Sequence, residues 1–195
     1  MAADVSSLIL GIGLETAVVV GHSMGGFVAL SLALHSPELV SGLVLVGTAA
    51  MGKVRDLGTG ARARTALEMR AGSLADIVRA NVEAGVAPAF LRDYPERISR
   101  FVDGRVALPP RGRGVEGQRR AAGLFDVRER LWEISCPVLV CHGEDDEVVP
   151  VVRGRELASG IRNARLLTWA GLGHYPCLEA PESLGQAIRD FCADL

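Results

Sequence analysis

One stretch limits the folds open to this chain more than any other. Val18 to Ala33 reads VVVGHSMGGFVALSLA, an apolar run that passes through Gly-x-Ser-x-Gly into a second apolar run. The approach, ETAVVVG (Glu15 to Gly21), sets four apolar side chains in succession, which predicts a strand buried on both faces. The exit, FVALSLALHSPELV, sets Val28, Leu32 and His35 on one helical stripe, with Pro37 ending the helix. A serine at such a strand-to-helix turn takes strained backbone angles and presents its hydroxyl. Glycines two residues to either side leave room for so tight a fold. The helix N-terminus aims backbone N–H groups at the same point, so Ser23 is the candidate nucleophile and the Met24 N–H the candidate oxyanion donor.

The rest of the chain repeats the strand-then-helix pattern. GLVLVGT (Gly42 to Thr48), CPVLVCHGEDD (Cys136 to Asp146) and ARLLTWAGLGH (Ala164 to His174) read as further buried strands. PVVRGRELASGI and the closing ESLGQAIRDFCADL read as helices. Four strands alternating with helices predict parallel βαβ units and an α/β fold. From Met51 to Arg130 no strong strand appears. That segment reads as a helical insertion, with SLADIVRANVEAG and YPERISRFVDG as helices and LPPRGRGVEG as turn-rich chain.

Composition narrows the class. At 195 residues and a mean hydropathy of +0.26, the chain suits one core with an insertion and not a disordered protein. A net charge of −2 argues against a nucleic-acid binder, although Met51 to Trp132 holds 16 Lys and Arg against 10 Asp and Glu. Cys136, Cys141, Cys177 and Cys192 show neither CxxC pairing nor metal-ligand spacing with the histidines, so no metal or cofactor is expected. Cys136 and Cys141 bracket an apolar run and read as small buried hydrophobes. With no secretory signal pattern and no apolar run of spanning length, the expected setting is the cytoplasm, away from membranes.

A serine hydroxyl needs a base, and the base needs an orienting carboxylate. HGEDDEVVP puts carboxylates just past the C-terminal end of a strand, the rim where sites of parallel sheets assemble. GLGHYPCLEAPE then sets His174 in a glycine-flanked loop after the last strand.

The elbow GHSMGG, the acid turn GEDDEVVP and the histidine turn GLGHYPCLEAPE together resemble the α/β-hydrolase superfamily, in its lid-bearing Ser-Asp-His branch. The resemblance implies a core of residues 1–50 and 131–195 and a helical lid of residues 51–130. It makes Ser23 the nucleophile and His174 the general base. The family acid closes a G-x-x-D turn, which selects Asp146 over Asp145. A serine nucleophile disfavours the chemistry of haloalkane dehalogenases and epoxide hydrolases. His22 is expected to pack near the pocket, and His35 and His142 to be structural. The stretch from Gly114 to Asp146 is similar to the lid exit of the 3-oxoadipate enol-lactonase-like group, which points to a small ester or lactone substrate. The elbow departs from that group's GLSMGG, so esterase, C–C hydrolase and thioesterase chemistry stay open.

The resemblance also implies four strands before the elbow strand, whereas ADVSSLILGIGLET corresponds only to the helix just ahead of it. With those N-terminal strands missing, Ala17 to Val20 is expected to offer an unpaired apolar edge and a route to self-association. One oxyanion donor would be absent too, a loss of ~10²–10³ in turnover. The alternative to a hydrolase is then a non-catalytic remnant, or a half-domain completed by a partner chain.

Overall fold

Unbroken apolar strands need cover on both faces, and the sheet of this protein supplies it unevenly. The structure, a computed structural model, describes residues 1–53, 57, 59–69, 71–108 and 112–195. In chain order its elements are α1 (Ala2–Gly11), β1 (Ala17–His22), α2 (Met24–His35), β2 (Val40–Val46), α3 (Ala61–Glu68), α4 (Leu74–Gly85), α5 (Pro88–Asp93) and α6 (Pro95–Ala107). There follow α7 (Gly112–Leu124), β3 (Val138–Gly143), α8 (Val151–Gly160), β4 (Ala164–Trp169), α9 (Pro176–Glu179) and α10 (Pro181–Ala193). The four strands are parallel, in the order β1-β2-β3-β4.

The two inner strands are buried throughout except at Ser41. Their side chains alternate between two packed layers, as strand geometry requires. Leu43, Leu45, Val138 and Val140 pack with Ala29, Leu30, Leu32 and Ala33 of α2, Leu157 of α8 and Ile9 of α1. Val44, Val46, Leu139 and Cys141 face the other way, onto Leu184 and Phe191 of α10. Burying the valine, leucine, isoleucine and phenylalanine side chains among these stabilises the fold by about 1.5–3 kcal/mol each.

Three expectations need correction. The elbow strand is not buried on both faces, Val20 being 48% exposed, although its place at an edge of the described sheet is the one expected for Ala17 to Val20. The proposed stripe on α2 is too narrow. Phe27, Ala29, Leu30, Leu32 and Ala33 are buried while His35 is exposed, because α2 packs against α1, β1 and β2 and stacks Phe27 on Phe125 at 4.6 Å. LPPRGRGVEG is not turn-rich throughout, since α7 begins at Gly112 and brings Ala122 against the cluster of Phe27 and Met51. Residues 109–111 lie outside the described residues.

The helices α3 to α7 all fall between β2 and β3. The chain leaves and re-enters the sheet layer at one place, where Met51 pairs with Asp126 and Val127 N–H donates to the Ala50 carbonyl at 2.8 Å. Val82, Val86, Ala87, Phe90, Ile98 and Val102 form a separate apolar cluster, on which Tyr175 and Leu178 pack. Cys141 is buried and its thiol pushed up to about 12, Cys136 is half-buried, and Cys177 and Cys192 are exposed. Among the described residues no helix is long and apolar enough to cross a membrane.

Candidate active site

Ser23 directly follows β1, Asp146 lies three residues beyond β3, and His174 five beyond β4, all at the carboxyl rim of the parallel sheet. Ser23 has φ 53° and ψ −121°, and among the described residues it alone combines a side chain with positive φ. The turn is pinned from β2: Ser23 N–H donates to the Val46 carbonyl at 2.9 Å, and Thr48 Oγ1 donates to the Ser23 carbonyl at 2.7 Å. A Cβ at Gly21 would sit 2.5 Å from the Gly25 carbonyl oxygen, and one at Gly26 would overlap the Thr48 side chain. Gly25 itself faces open space, so the close approach falls on Gly21 and Gly26 instead of the symmetric pair expected. Met24 opens α2, where the first N–H groups lack partners within the helix.

The three predicted side chains form one hydrogen-bonded line. Asp146 is 4% exposed and His174 3%. Burial alone would raise the Asp146 pKa, but the interaction with His174 and, after it, the proximity of His142 outweigh that and hold the carboxyl at about 2. An ionised carboxylate only accepts, so the proton on that side belongs to His174 Nδ1, which donates to Asp146 Oδ2 at 2.8 Å. His174 Nε2 is left with its lone pair and accepts from Ser23 Oγ at 2.9 Å. The second carboxylate oxygen, Oδ1, accepts from Val148 and Val149 N–H, both at 2.8 Å, which fixes the acid in place. Asp145, by contrast, is exposed.

The other histidines differ from one another. His22 Nε2 donates to the His174 carbonyl at 2.7 Å, and the two rings stand 4.9 Å apart. Burial, then the charge of His174, lowers the His22 pKa to about 4, so at neutral pH it is an uncharged brace. His142 is fully buried behind the acid, donating to the Val149 carbonyl at 2.7 Å, with Nε2 3.5 Å from Asp146 Oδ2 and Nδ1 without a partner. His35 bonds the Ser31 carbonyl at the exposed end of α2.

Sequence reasoning missed Glu179. It is 7% exposed and accepts three backbone N–H bonds, from Ala87, Gly173 and Tyr175. Its place five residues after His174 was visible, but nothing in the sequence shows that Ala87 lies beside it. Among the described residues no group of three or more His, Cys, Asp and Glu side chains is gathered as metal ligands. A cavity of about 380 Å³ opens beside the elbow between α4, α6 and α7, lined by Met24, Asn81, Arg105, Arg119, Ala122 and Tyr175 among others.

Comparison with known proteins agrees with this architecture. Residues 1–187 match the alpha/beta hydrolase family. The chain is 28% identical over 197 residues to 2-hydroxy-6-oxo-6-phenylhexa-2,4-dienoate hydrolase of Comamonas testosteroni, covering 97% of this chain and 67% of that one. It is 30% identical over 195 residues to a pimeloyl-(acyl-carrier protein) methyl ester esterase of Aromatoleum aromaticum, covering 90% and 74%. The solved structure of Est816, an N-acyl homoserine lactone degrading enzyme, superposes with a TM-score of 0.78 at 26% identity, over 97% of this chain and 73% of that one. A parallel sheet with a strained serine turn on its rim, matched along nearly the whole chain, places this protein in the alpha/beta hydrolase family.

Proposed function

We propose that this protein is a serine hydrolase that opens a carboxylic ester or lactone through an acyl-enzyme. The observation that carries the reading is the unbroken line from Ser23 Oγ through the His174 ring to Asp146, at 2.9 and 2.8 Å. In the first half-reaction His174 Nε2 takes the Ser23 proton as Oγ attacks the carbonyl carbon. The imidazolium that forms stays paired with the Asp146 carboxylate, and the Met24 N–H supports the tetrahedral oxyanion. The C–O bond to the leaving alkoxide then breaks, with His174 returning the proton to it. Water, deprotonated by the same nitrogen, releases the acid and restores Ser23.

Support for the ester and lactone classes comes from the similarity to an esterase and to a lactone-degrading enzyme. The similarity to a hydrolase of a phenylhexadienoate keeps C–C cleavage as the second reading. The cavity beside Met24 is lined by Arg105 and Arg119 and, among the described residues, by no acidic side chain, which favours substrates with a negative charge away from the scissile bond.

The test is a panel of neutral p-nitrophenyl esters, carboxylate-bearing monoesters, lactones and vinylogous diketones, assayed on the parent and on Ser23→Ala. Turnover of esters or lactones should fall by about 10³-fold or more in the variant, with thermal stability nearly unchanged. Turnover confined to the diketones would move the assignment to C–C hydrolysis. A folded parent inert to the whole panel would favour the non-catalytic alternative.

A further inference from the structure

Glu179 is a buried carboxylate with no cation paired to it among the described residues; it is held by backbone N–H groups. Its Oε2 accepts from Ala87 N–H and Gly173 N–H, both at 2.9 Å, and its Oε1 from Tyr175 N–H at 3.0 Å. Two of these donors flank His174 in sequence. The third opens α5, in the helical segment between β2 and β3. His174 reinforces the same joint, since its own N–H donates to the Gly85 carbonyl at the end of α4 at 2.7 Å. Arg97 adds a further tie, from α6 to the Leu178 carbonyl at 2.8 Å. Burial raises the Glu179 pKa, and the three backbone bonds work against that rise. A carboxylate kept in so unfavourable a place, where an apolar side chain would strand two buried donors and a part-buried third, has a specific geometric task.

We infer that Glu179 is a positioning residue for His174. By gripping the amides on both sides of it, the carboxylate fixes the turn after β4, and with it the direction of the imidazole toward Ser23 and Asp146. Because the same oxygen holds Ala87, seating of the α4–α5 junction and alignment of the base are one event. Helices α4 to α6 thus act on the reaction through His174 as well as by covering the cavity. The inference rests on the acyl-transfer reading, in which His174 must point at Oγ.

The test compares parent, Glu179→Gln and Glu179→Asp. Gln keeps the volume and one oxygen able to serve Ala87 and Gly173, but turns an NH₂ toward the Tyr175 N–H. Asp keeps the charge and is too short to reach all three donors. For each, Tm, kcat, KM and the rate of covalent labelling by a fluorophosphonate are measured, together with the low-field NMR signal of the proton between His174 and Asp146. In both variants kcat and the labelling rate are expected to fall by about 10–100-fold while KM changes by less than about threefold, a base misplaced by a fraction of an ångström being enough. The low-field signal should broaden or shift. Variants that fold, label at the parental rate and keep that signal would reduce Glu179 to a structural residue and overturn the inference. A folded parent that does not label at all overturns the acyl-transfer reading itself, a result separable from any difference between the variants.

Discussion

Ser23 is held in its strained conformation by the Val46 carbonyl at the end of β2 and the Thr48 hydroxyl just beyond it, so its geometry depends on residues that the Gly-x-Ser-x-Gly pattern does not include. His174 is braced from inside that pattern, its carbonyl accepting from His22 Nε2. That brace has a measurable cost in acid. The groups around His22 are His174 and Tyr175, whose rings lie 4.9 and 5.6 Å away, with Asp146 and Arg105 acting at longer range. Its folded pKa, about 4, lies below the ordinary imidazole value of 6.5, so the unfolded chain binds the extra proton first as pH falls. Its contribution is therefore intact above pH 6.5 and lost progressively toward pH 4. Urea unfolding should show a stability loss of roughly 2 kcal/mol between pH 7 and pH 5, with a smaller loss in His22→Asn. Equal losses in both proteins would show that His22 is not the group responsible. Asp146 acts in the same sense but in a lower window: its contribution is intact above pH 3.8 and lost toward about pH 2, so it is not the origin of that loss.

At the scale of elements, the contrast between strands is instructive. β2 and β3 are apolar because both their faces are covered, and β1 carries an equally apolar sequence with less cover. Val20 at 48% exposure, with Leu8, Leu10, Ile12 and Leu14 exposed nearby in sequence, leaves apolar surface around an open strand edge among the described residues. Such an edge templates pairing with another strand. Sedimentation velocity on this chain should show concentration-dependent self-association that Val20→Lys reduces. A parent that stays monomeric across the accessible concentrations would contradict this. α7 teaches a different lesson. Its glycines, at 112, 114, 117 and 123, argue locally for turns, yet it is helical where Ala122, with Phe125 just beyond it, packs against Phe27 and Met51. Tertiary packing overrides propensity there, which a reading of local composition does not register.

For the molecule as a whole, what could be read in advance was what short-range chemistry dictates. The three turns carry their own signals, namely glycines around a serine, carboxylates after a buried strand and a histidine between glycines, and strand–helix alternation orders them along one sheet edge. The supports were not legible, because each joins residues far apart in the chain. Thr48 meets Ser23 and Glu179 meets Ala87 only once β2 and the helical segment are packed. The central claim is that Ser23, His174 and Asp146 act as one proton-relaying unit. Its most direct test is to treat the folded chain with a fluorophosphonate and locate the adduct by peptide mass spectrometry. A single adduct on Ser23, lost in His174→Ala although the serine remains, is the predicted result. An adduct on another residue, or labelling of Ser23 at an undiminished rate without His174, would contradict it.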